Sequence, residues 1–381
     1  MTEVAERWGS YILHEGDDLL RFWSTRLANG PRDVLLVLGR GFDPRMCLVA
    51  ETLVRLGGEG RREVLLLEFD EGPESPSQAY ATMVAENERR LEAAFAAPAA
   101  VRRHAVQMVN ADRRRISSRS AALVFKTAND LQTYTDVVID VSALPRSIYF
   151  PLIAKTLFLI DRLAASGRIV NLHVFVGEDP SLDQRIVEIG IDEAEYVHQF
   201  RGGIDLEATA THPRLWLPLL GEGQEAKLQR INDLVRPDEI CPVLPFPSTN
   251  PRRADNLVLE YHRLLFDEFR VEPRNFIYAS ESNPFQVYRH MRRAILQYVD
   301  ALDPLGHCKI VLSSLTSKVL SVGALLVAYE LKEAKMTVGI AQVEVQGYEI
   351  QDPAPTQVSA PTRLVDIWIA GDCYARSTRE N

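Results

Sequence analysis

The chain has 381 residues, of which 46% are hydrophobic and 25% charged, with a formal net charge of -9. These are ordinary globular values, and at about 150 residues per domain they allow two or three domains. The acidic balance argues against an undirected grip on a nucleic-acid backbone, which needs a basic face, although local clusters such as Arg113-Arg114-Arg115 could still build one. The four cysteines, Cys47, Cys241, Cys308 and Cys373, are far apart and form no CxxC pair, so neither a zinc site nor a disulfide framework is expected. The first ten residues are acidic and lack an apolar run, and no apolar stretch reaches about 18 residues, which predicts a cytoplasmic protein without a signal peptide or membrane span.

Met1–Asn29 reads as a helical lead-in, with Trp8, Leu19, Leu20, Phe22 and Trp23 as packing residues. Beyond it, short apolar runs alternate with longer helical patterns, which is the signature of βαβ units around a mostly parallel sheet. Strands buried on both faces should be continuous apolar runs. Such runs fall at Val34–Leu38, Val64–Phe69, Ala105–Val109, Val137–Val141 and Leu172–Val176. Helical patterns lie between them at Pro44–Leu56, Ser77–Phe95, Ser118–Leu131 and Ser147–Ala165. Residues 178–212 read as a connection, with one more strand at Tyr196–Phe200. A second series follows at Leu215–Leu220, Ile240–Phe246, Phe276–Ala279, Lys309–Leu312, Val338–Val343 and Val365–Ala370. Its helices fit Glu225–Leu234, Arg252–Phe269, Phe285–Ala301 and Lys318–Ala334. Gln351–Pro361 reads as a loop.

The predicted fold is therefore α/β, with a lead-in over 1–30, a first Rossmann-like lobe with its connection over 31–212, and a second over 213–381 that includes the last strand. The halves share a pattern that predicts an internal duplication; two independent α/β lobes are the alternative. The first strand of each ends alike, in Leu38-Gly39-Arg40-Gly41 and Leu220-Gly221-Glu222-Gly223. The fourth ends in serine with a cation four residues on, in Ser142 to Arg146 and Ser314 to Lys318. Gly323 and Ala324, small residues in the helix after Lys318, should let that helix pack closely on the sheet.

In open α/β sheets, ligands bind beyond the carboxyl ends of the strands where the strand order switches. The loop Gly39-Arg40-Gly41-Phe42-Asp43-Pro44-Arg45 can turn tightly, cap a helix through Asp43 and offer Arg40 and Arg45 to a phosphate or carboxylate. It lacks the third glycine of GxGxxG and the GK[ST] of a P-loop, and a tight turn with a good cap explains it as well. The second strand ends at Glu68-Phe69-Asp70, where an acid can hold a ribose hydroxyl pair; a solvated loop charge is the plainer reading. This glycine loop followed by an acid resembles the start of some S-adenosylmethionine-dependent methyltransferases. The second lobe does not extend the likeness, because Phe246 lies between Pro245 and Pro247 with no acid.

Ser142 and Arg146 form the next polar loop. Their counterpart, Ser313-Ser314-Leu315-Thr316-Ser317-Lys318, is the densest polar loop in the chain. Hydroxyls, helix-start amides and a lysine together suit an anion, against a serine-rich cap with the lysine in solvent. Asn283 and Asn250 read as helix caps. The eight histidines are scattered without an HxxxH pair, and no GxSxG marks a nucleophile. Asp179 and Asp183 could hold a divalent ion or open a helix after Pro180.

These residues predict a protein that binds an anionic small molecule, a nucleotide among the choices, near or between the lobes, with no identifiable cofactor. It would be either an enzyme of unassigned reaction or a non-catalytic sensor or subunit with a protein partner or a second copy. A methyltransferase is the third reading.

Overall fold

The computed structural model describes all residues except 1–5, 71–74, 96–99, 113, 202, 205–210, 303, 305–306, 352–361 and 376–381, and the backbone alone of Asp70, Pro76 and Ala375. The strands are β1 (Ile12–Glu15), β2 (Val34–Gly39), β3 (Arg62–Asp70), β4 (Val101–Gln107), β5 (Asp136–Asp140), β6 (Asn171–Glu178), β7 (Ile186–Tyr196), β8 (Arg214–Leu219), β9 (Glu239–Ile240), β10 (Val243–Pro245), β11 (Ile277–Ala279), β12 (Lys309–Ser314), β13 (Val338–Ile350) and β14 (Arg363–Ala370). The helices are α1 (Gly16–Ala28), α2 (Leu48–Arg55), α3 (Ala81–Ala94), α4 (Ser117–Ala121), α5 (Arg146–Ala165), α6 (Pro180–Asp183), α7 (Glu225–Val235), α8 (Arg253–Glu260), α9 (Pro284–Leu302), α10 (Lys318–Glu333) and α11 (Asp372–Ala375).

Two compact units result, one of residues 11–190 and 345–381 and one of 1–10 and 191–344, each with its own mostly parallel sheet. The unit boundary falls within β7 and β13. In the first, the sheet runs β1-β14-β6-β5-β2-β3-β4. Strands β2 to β6 are parallel, whereas β14 and β1 add antiparallel. In the second, the order is β11-β10-β8-β12-β13-β7, with β9 also on β8. Counting the successive parallel strands of each lobe from one to five gives the same order in both, 3-2-1-4-5. Rossmann-type sheets place their switch between strands 1 and 4: β2 and β5 in the first lobe, β8 and β12 in the second.

The central strands form for the anticipated reason. All residues of β2, β5 and β12 are buried, and each is built on a continuous apolar stretch (residues 34–38, 137–139 and 310–312) with both faces covered. Around the first sheet, Leu19, Leu27, Leu36, Leu53, Val64 and Phe175 join one core; in the second, Trp216, Leu228, Leu244, Leu257 and Val311 join another.

Four details differ from the sequence reading. The run Val365–Ala370 does not serve the second lobe: as β14 it pairs with β6 in the first, where Asp366 accepts from Trp23 Nε1 at 2.8 Å. An apolar run shows that a strand exists but not which sheet it joins. The lead-in is divided: Trp8 is buried against Tyr288 of the second unit at 5.3 Å, while β1 and α1 belong to the first. The extra strand is Ile186–Tyr196 rather than Tyr196–Phe200, because Gln199 takes a positive φ of 73° and turns the chain. Val197 N nonetheless still bonds Ile340 O, at 2.8 Å. Ile240–Phe246 is split into β9 and β10 around Cys241-Pro242, since proline has no donor for the ladder.

Gly323 serves a close approach, but its near neighbour is α9. A β-carbon there would stand 2.3 Å from Pro284 O and 2.7 Å from Val287 Cβ. Backbone oxygen cannot yield as a flexible side chain can, so Gly323→Ala should lower stability by about 1–3 kcal/mol, the usual cost of overpacking. Denaturant unfolding checks this, and an unchanged midpoint would contradict it.

Candidate functional site

At the first-lobe switch, the glycine loop is built by close packing. A β-carbon on Gly39 would meet Leu144 Cδ2 at 2.5 Å, so the loop after β5 closes over the end of β2. Asp43 accepts from Arg45 N at 2.9 Å and opens the short 3-10 turn Pro44–Cys47, as its capping role requires. The Arg45 side chain then folds inward. It donates to Asp43 (3.0 and 2.7 Å), to Asp183 (2.8 Å) and to Gly177 O (3.1 Å), and is 2% exposed. Burial pulls its pKa down, but Asp43 and Asp183 more than offset that and leave it raised. Arg45 thus ties the loop after β2 to the loop after β6.

Ser142 is likewise engaged: its hydroxyl donates to Asp140 at 2.5 Å and accepts from Gly177 N at 2.7 Å, which joins β5 to β6. Arg40 donates to Glu88 of α3 at 3.0 Å. Glu88 also accepts from Arg103 of β4, which holds Glu68 at 2.9 Å and Glu92 at 3.0 Å. Burial raises the Glu88 pKa, but the two arginines lower it by more and leave it below the ordinary carboxylate value. Glu68 therefore faces β4 and Arg103. The Asp70 side chain lies outside the described residues. Arg146 opens α5 and is half-buried. Asn87, absent from the sequence-based set, is buried and donates to Gly41 O (3.1 Å) and Phe42 O (3.0 Å), fixing the loop. Its partners lie 45 and 46 residues away, beyond any local signal.

At the second-lobe switch the hydroxyls divide into two groups. Ser313 accepts from Trp216 Nε1 at 2.9 Å inside the core. Ser314 and Ser321 share a hydrogen bond of 2.6 Å, and the Ser317 hydroxyl accepts from Leu320 N at 3.4 Å as the cap of α10. The loop is pressed onto Gly221, where a β-carbon would stand 2.2 Å from Leu315 O. Leu315 N also donates to Leu219 O at 2.9 Å. At the opening of α10, Thr316 is buried and Ser317 and Lys318 are half-buried.

Beside this loop stands a triad that sequence spacing gave no means to find. Arg253, at the start of α8, donates to both oxygens of Glu222 (2.6 and 2.8 Å) and to Glu281 (2.8 Å), 31 and 28 residues away. The Arg253 hydrogen bonds hold the Glu222 carboxyl below its usual range against the effect of burial. Glu281 also accepts from Thr249 N at 2.8 Å, so the triad joins the loops after β8, β10 and β11. Asn283 and Asn250 cap their turns as expected: Phe285 N to Asn283 Oδ1 is 3.0 Å, and Arg252 N to Asn250 Oδ1 is 3.1 Å. Asp179 likewise caps α6, accepting from Ser181 N and Leu182 N at 3.1 Å.

Such an arrangement can hold an anion at Lys318 and hydroxyls at the carboxylates. It does not prepare a thiol nucleophile: burial pushes Cys47 up to about 12 and Cys241 and Cys308 up to about 11, far from the lowered values of reactive cysteines. Among the described residues, no group of three or more His, Cys, Asp or Glu could hold a metal ion, and no helix is long and apolar enough to cross a membrane.

No protein family matches the chain, and no curated protein does. Among solved structures, it is similar to a deacetylase of the teicoplanin biosynthetic pathway at 13% identity, over 43% of this chain and 73% of that one, with a TM-score of 0.24. A protein of Pseudomonas aeruginosa UCBPP-PA14 described as a universal stress protein matches at 11% identity, over 82% and 92%, with a TM-score of 0.22. The hexameric APS kinase of Thiobacillus denitrificans matches at 11% identity, over 84% and 70%, with a TM-score of 0.20. Likenesses at these scores carry no argument about what this chain does.

Proposed function

We propose that the second lobe binds a small molecule bearing a phosphate or carboxylate at the carboxyl end of β12, with Thr316, Ser317 and Lys318 as its anion-holding residues. The supporting observation is the strand order, which puts the switch between β8 and β12, directly before the first turn of α10. Helix-start amides carry partial positive charge there, and Lys318 adds a full one. Ser313 and Ser314 back the loop from within. We propose the matching switch in the first lobe as the second candidate, with Gly39, Arg40, Gly41, Asp43, Arg45, Glu68, Asp70, Ser142 and Arg146 as its residues. There Arg45 and Ser142 are taken up by Asp43, Asp183, Asp140 and Gly177. Glu68 is held by Arg103 at 2.9 Å on the β4 side of β3.

A non-catalytic sensor is the second reading, favoured by one observation: Arg253 engages both Glu222 and Glu281 of the loops at the same end of the sheet. We also propose that the lobes arose by duplication. Their common strand order supports this, as do the cations Arg146 and Lys318 that open corresponding helices.

Titration of the purified chain with ribose 5-phosphate and with citrate, followed by thermal melting, tests the binding proposal. A ligand at a hundred times its Kd stabilises the form that binds it by about 2.7 kcal/mol. The expected result is a saturable rise in the melting temperature with at least one of the two. A melt unmoved by both, with no heat of binding, would overturn it.

A further inference from the structure

We infer that the second lobe takes a nucleoside monophosphate, with its ring on Phe246 and Tyr278, its sugar hydroxyls on Glu222 and Glu281, and its phosphate at Lys318. The inference rests on the anion site proposed above and names the molecule that carries the anion.

Its independent support is an exposed aromatic pair. Phe246 is 50% exposed and Tyr278 49%, and their rings meet edge to face with centroids 6.2 Å apart. Phe246 directly follows β10, and its backbone N–H donates to Ala279 O at 2.7 Å, so it is anchored at the same end of the sheet as the Lys318 loop. Two large rings left half in solvent, on a backbone held this firmly, form a platform for another flat ring. Such stacking tolerates any base, because every base has a π-face.

The order of chemistry across the sheet end matches the order of groups in a mononucleotide. From the edge inward the strands run β11, β10, β8, β12. Their ends carry the aromatic pair (Tyr278 of β11, Phe246 after β10), a carboxylate (Glu222 after β8), and hydroxyls with a lysine (Thr316 to Lys318 after β12). Neighbouring strands lie about 4.8 Å apart, so the ends of β10 and β12 are about 10 Å apart, the reach of a ring, a pentose and one phosphate in line. Glu222 is 55% exposed and Glu281 27%, and a carboxylate already bonded to Arg253 keeps lone pairs for a diol. Arg253 offsets one of the two carboxylate charges, and Lys318 supplies a second cation on the phosphate side.

Isothermal titration of the full chain with the 5′-monophosphates of adenosine, guanosine, cytidine and uridine, and with ribose 5-phosphate, tests the inference. At least one nucleotide should bind more tightly than ribose 5-phosphate. Phe246→Ala should cost that nucleotide about tenfold, within the range for loss of one base stack, and leave ribose 5-phosphate unchanged. Phe246→Leu keeps apolar bulk without the aromatic face and should show the same loss, which separates stacking from misfolding. If all four nucleotides bind no more tightly than ribose 5-phosphate, or their advantage survives both Phe246 variants and Tyr278→Ala, the inference is overturned. The anion site would still stand in that case, provided ribose 5-phosphate binding needs Lys318. If neither the nucleotides nor ribose 5-phosphate binds, this inference is overturned together with phosphate binding at Lys318.

Discussion

Asp366→Ala should destabilise the first lobe by about 3–5 kcal/mol, the cost expected when a buried polar network loses its acceptor. Asp366 is wholly buried in β14 and accepts from Trp23 Nε1 at 2.8 Å; His173 Nδ1 lies 2.9 Å away. An ionised carboxylate only accepts, so Nδ1 carries the hydrogen. Alanine would leave both donors buried without an acceptor and open a cavity beneath Trp368, whose ring stacks on His173 at 4.9 Å. One carboxylate thus holds α1, β6 and β14 together.

The same group predicts a pH dependence. Burial alone would raise the Asp366 pKa; attraction to His173, His14 standing 3.7 Å away, and hydrogen bonds from His173 and Trp23 lower it more, to about 2. A depressed carboxyl stabilises the fold fully above its unfolded pKa and loses that contribution as pH falls through the folded value. Between about pH 4 and pH 2 the wild type should therefore lose about 2–3 kcal/mol through this group, because a tenfold change in proton affinity is worth about 1.4 kcal/mol. Asp366→Asn should lack that acid limb. Hydrogen exchange read at the amides of β6 and β14 measures both effects without interference from the second lobe. A change below about 1 kcal/mol in Asp366→Ala, against the usual range for core polar losses, would contradict this account of the cluster.

Lys318→Ala should weaken an anionic ligand about ten- to a hundredfold, since a hydrogen bond to a charged group is worth about 1.5–3 kcal/mol. Stability should move by only about 0.5 kcal/mol, as for a surface substitution. The packing of α10 explains the separation. Its buried residues, from Val319 through Leu331, carry the fold, and Lys318 stands half-buried at its first position. Ligand titration and thermal melting in parallel read the two effects. A large loss of stability with unchanged affinity would make Lys318 structural.

The fold was legible wherever a strand is buried on both faces, because the sequence must then be a continuous apolar run, as in β2, β5 and β12. It was least legible at the edges. β4, Val101–Gln107, is an edge strand with exposed Arg102 and Arg103, and its anticipated start at Ala105 follows the apolar residues rather than the ladder. Helices long in pattern proved interrupted in structure: in place of one helix over Ser118–Leu131 stand α4, Ser117–Ala121, and the short 3-10 turn Ala128–Asp130, where Asp130 accepts from Lys126 N and Thr127 N. In the site, local chemistry was legible and long-range pairing was not. Asp43, Asn250 and Asn283 cap as their types and positions require. Arg45, by contrast, looks like a ligand cation beside a glycine loop until Asp183, 138 residues on, is brought against it. Nothing in the spacing of Glu222, Arg253 and Glu281 reveals that one guanidinium joins three loops.

An anion held at the opening of α10 is the proposal on which the second-lobe site stands. A crystal of the purified chain soaked with ribose 5-phosphate tests it most directly. Phosphate oxygens are expected within hydrogen-bond reach of Lys318 Nζ and of the Thr316 or Ser317 hydroxyl. Density at the Gly39–Arg45 loop instead, with the Thr316–Lys318 loop empty at saturating ligand, would contradict it.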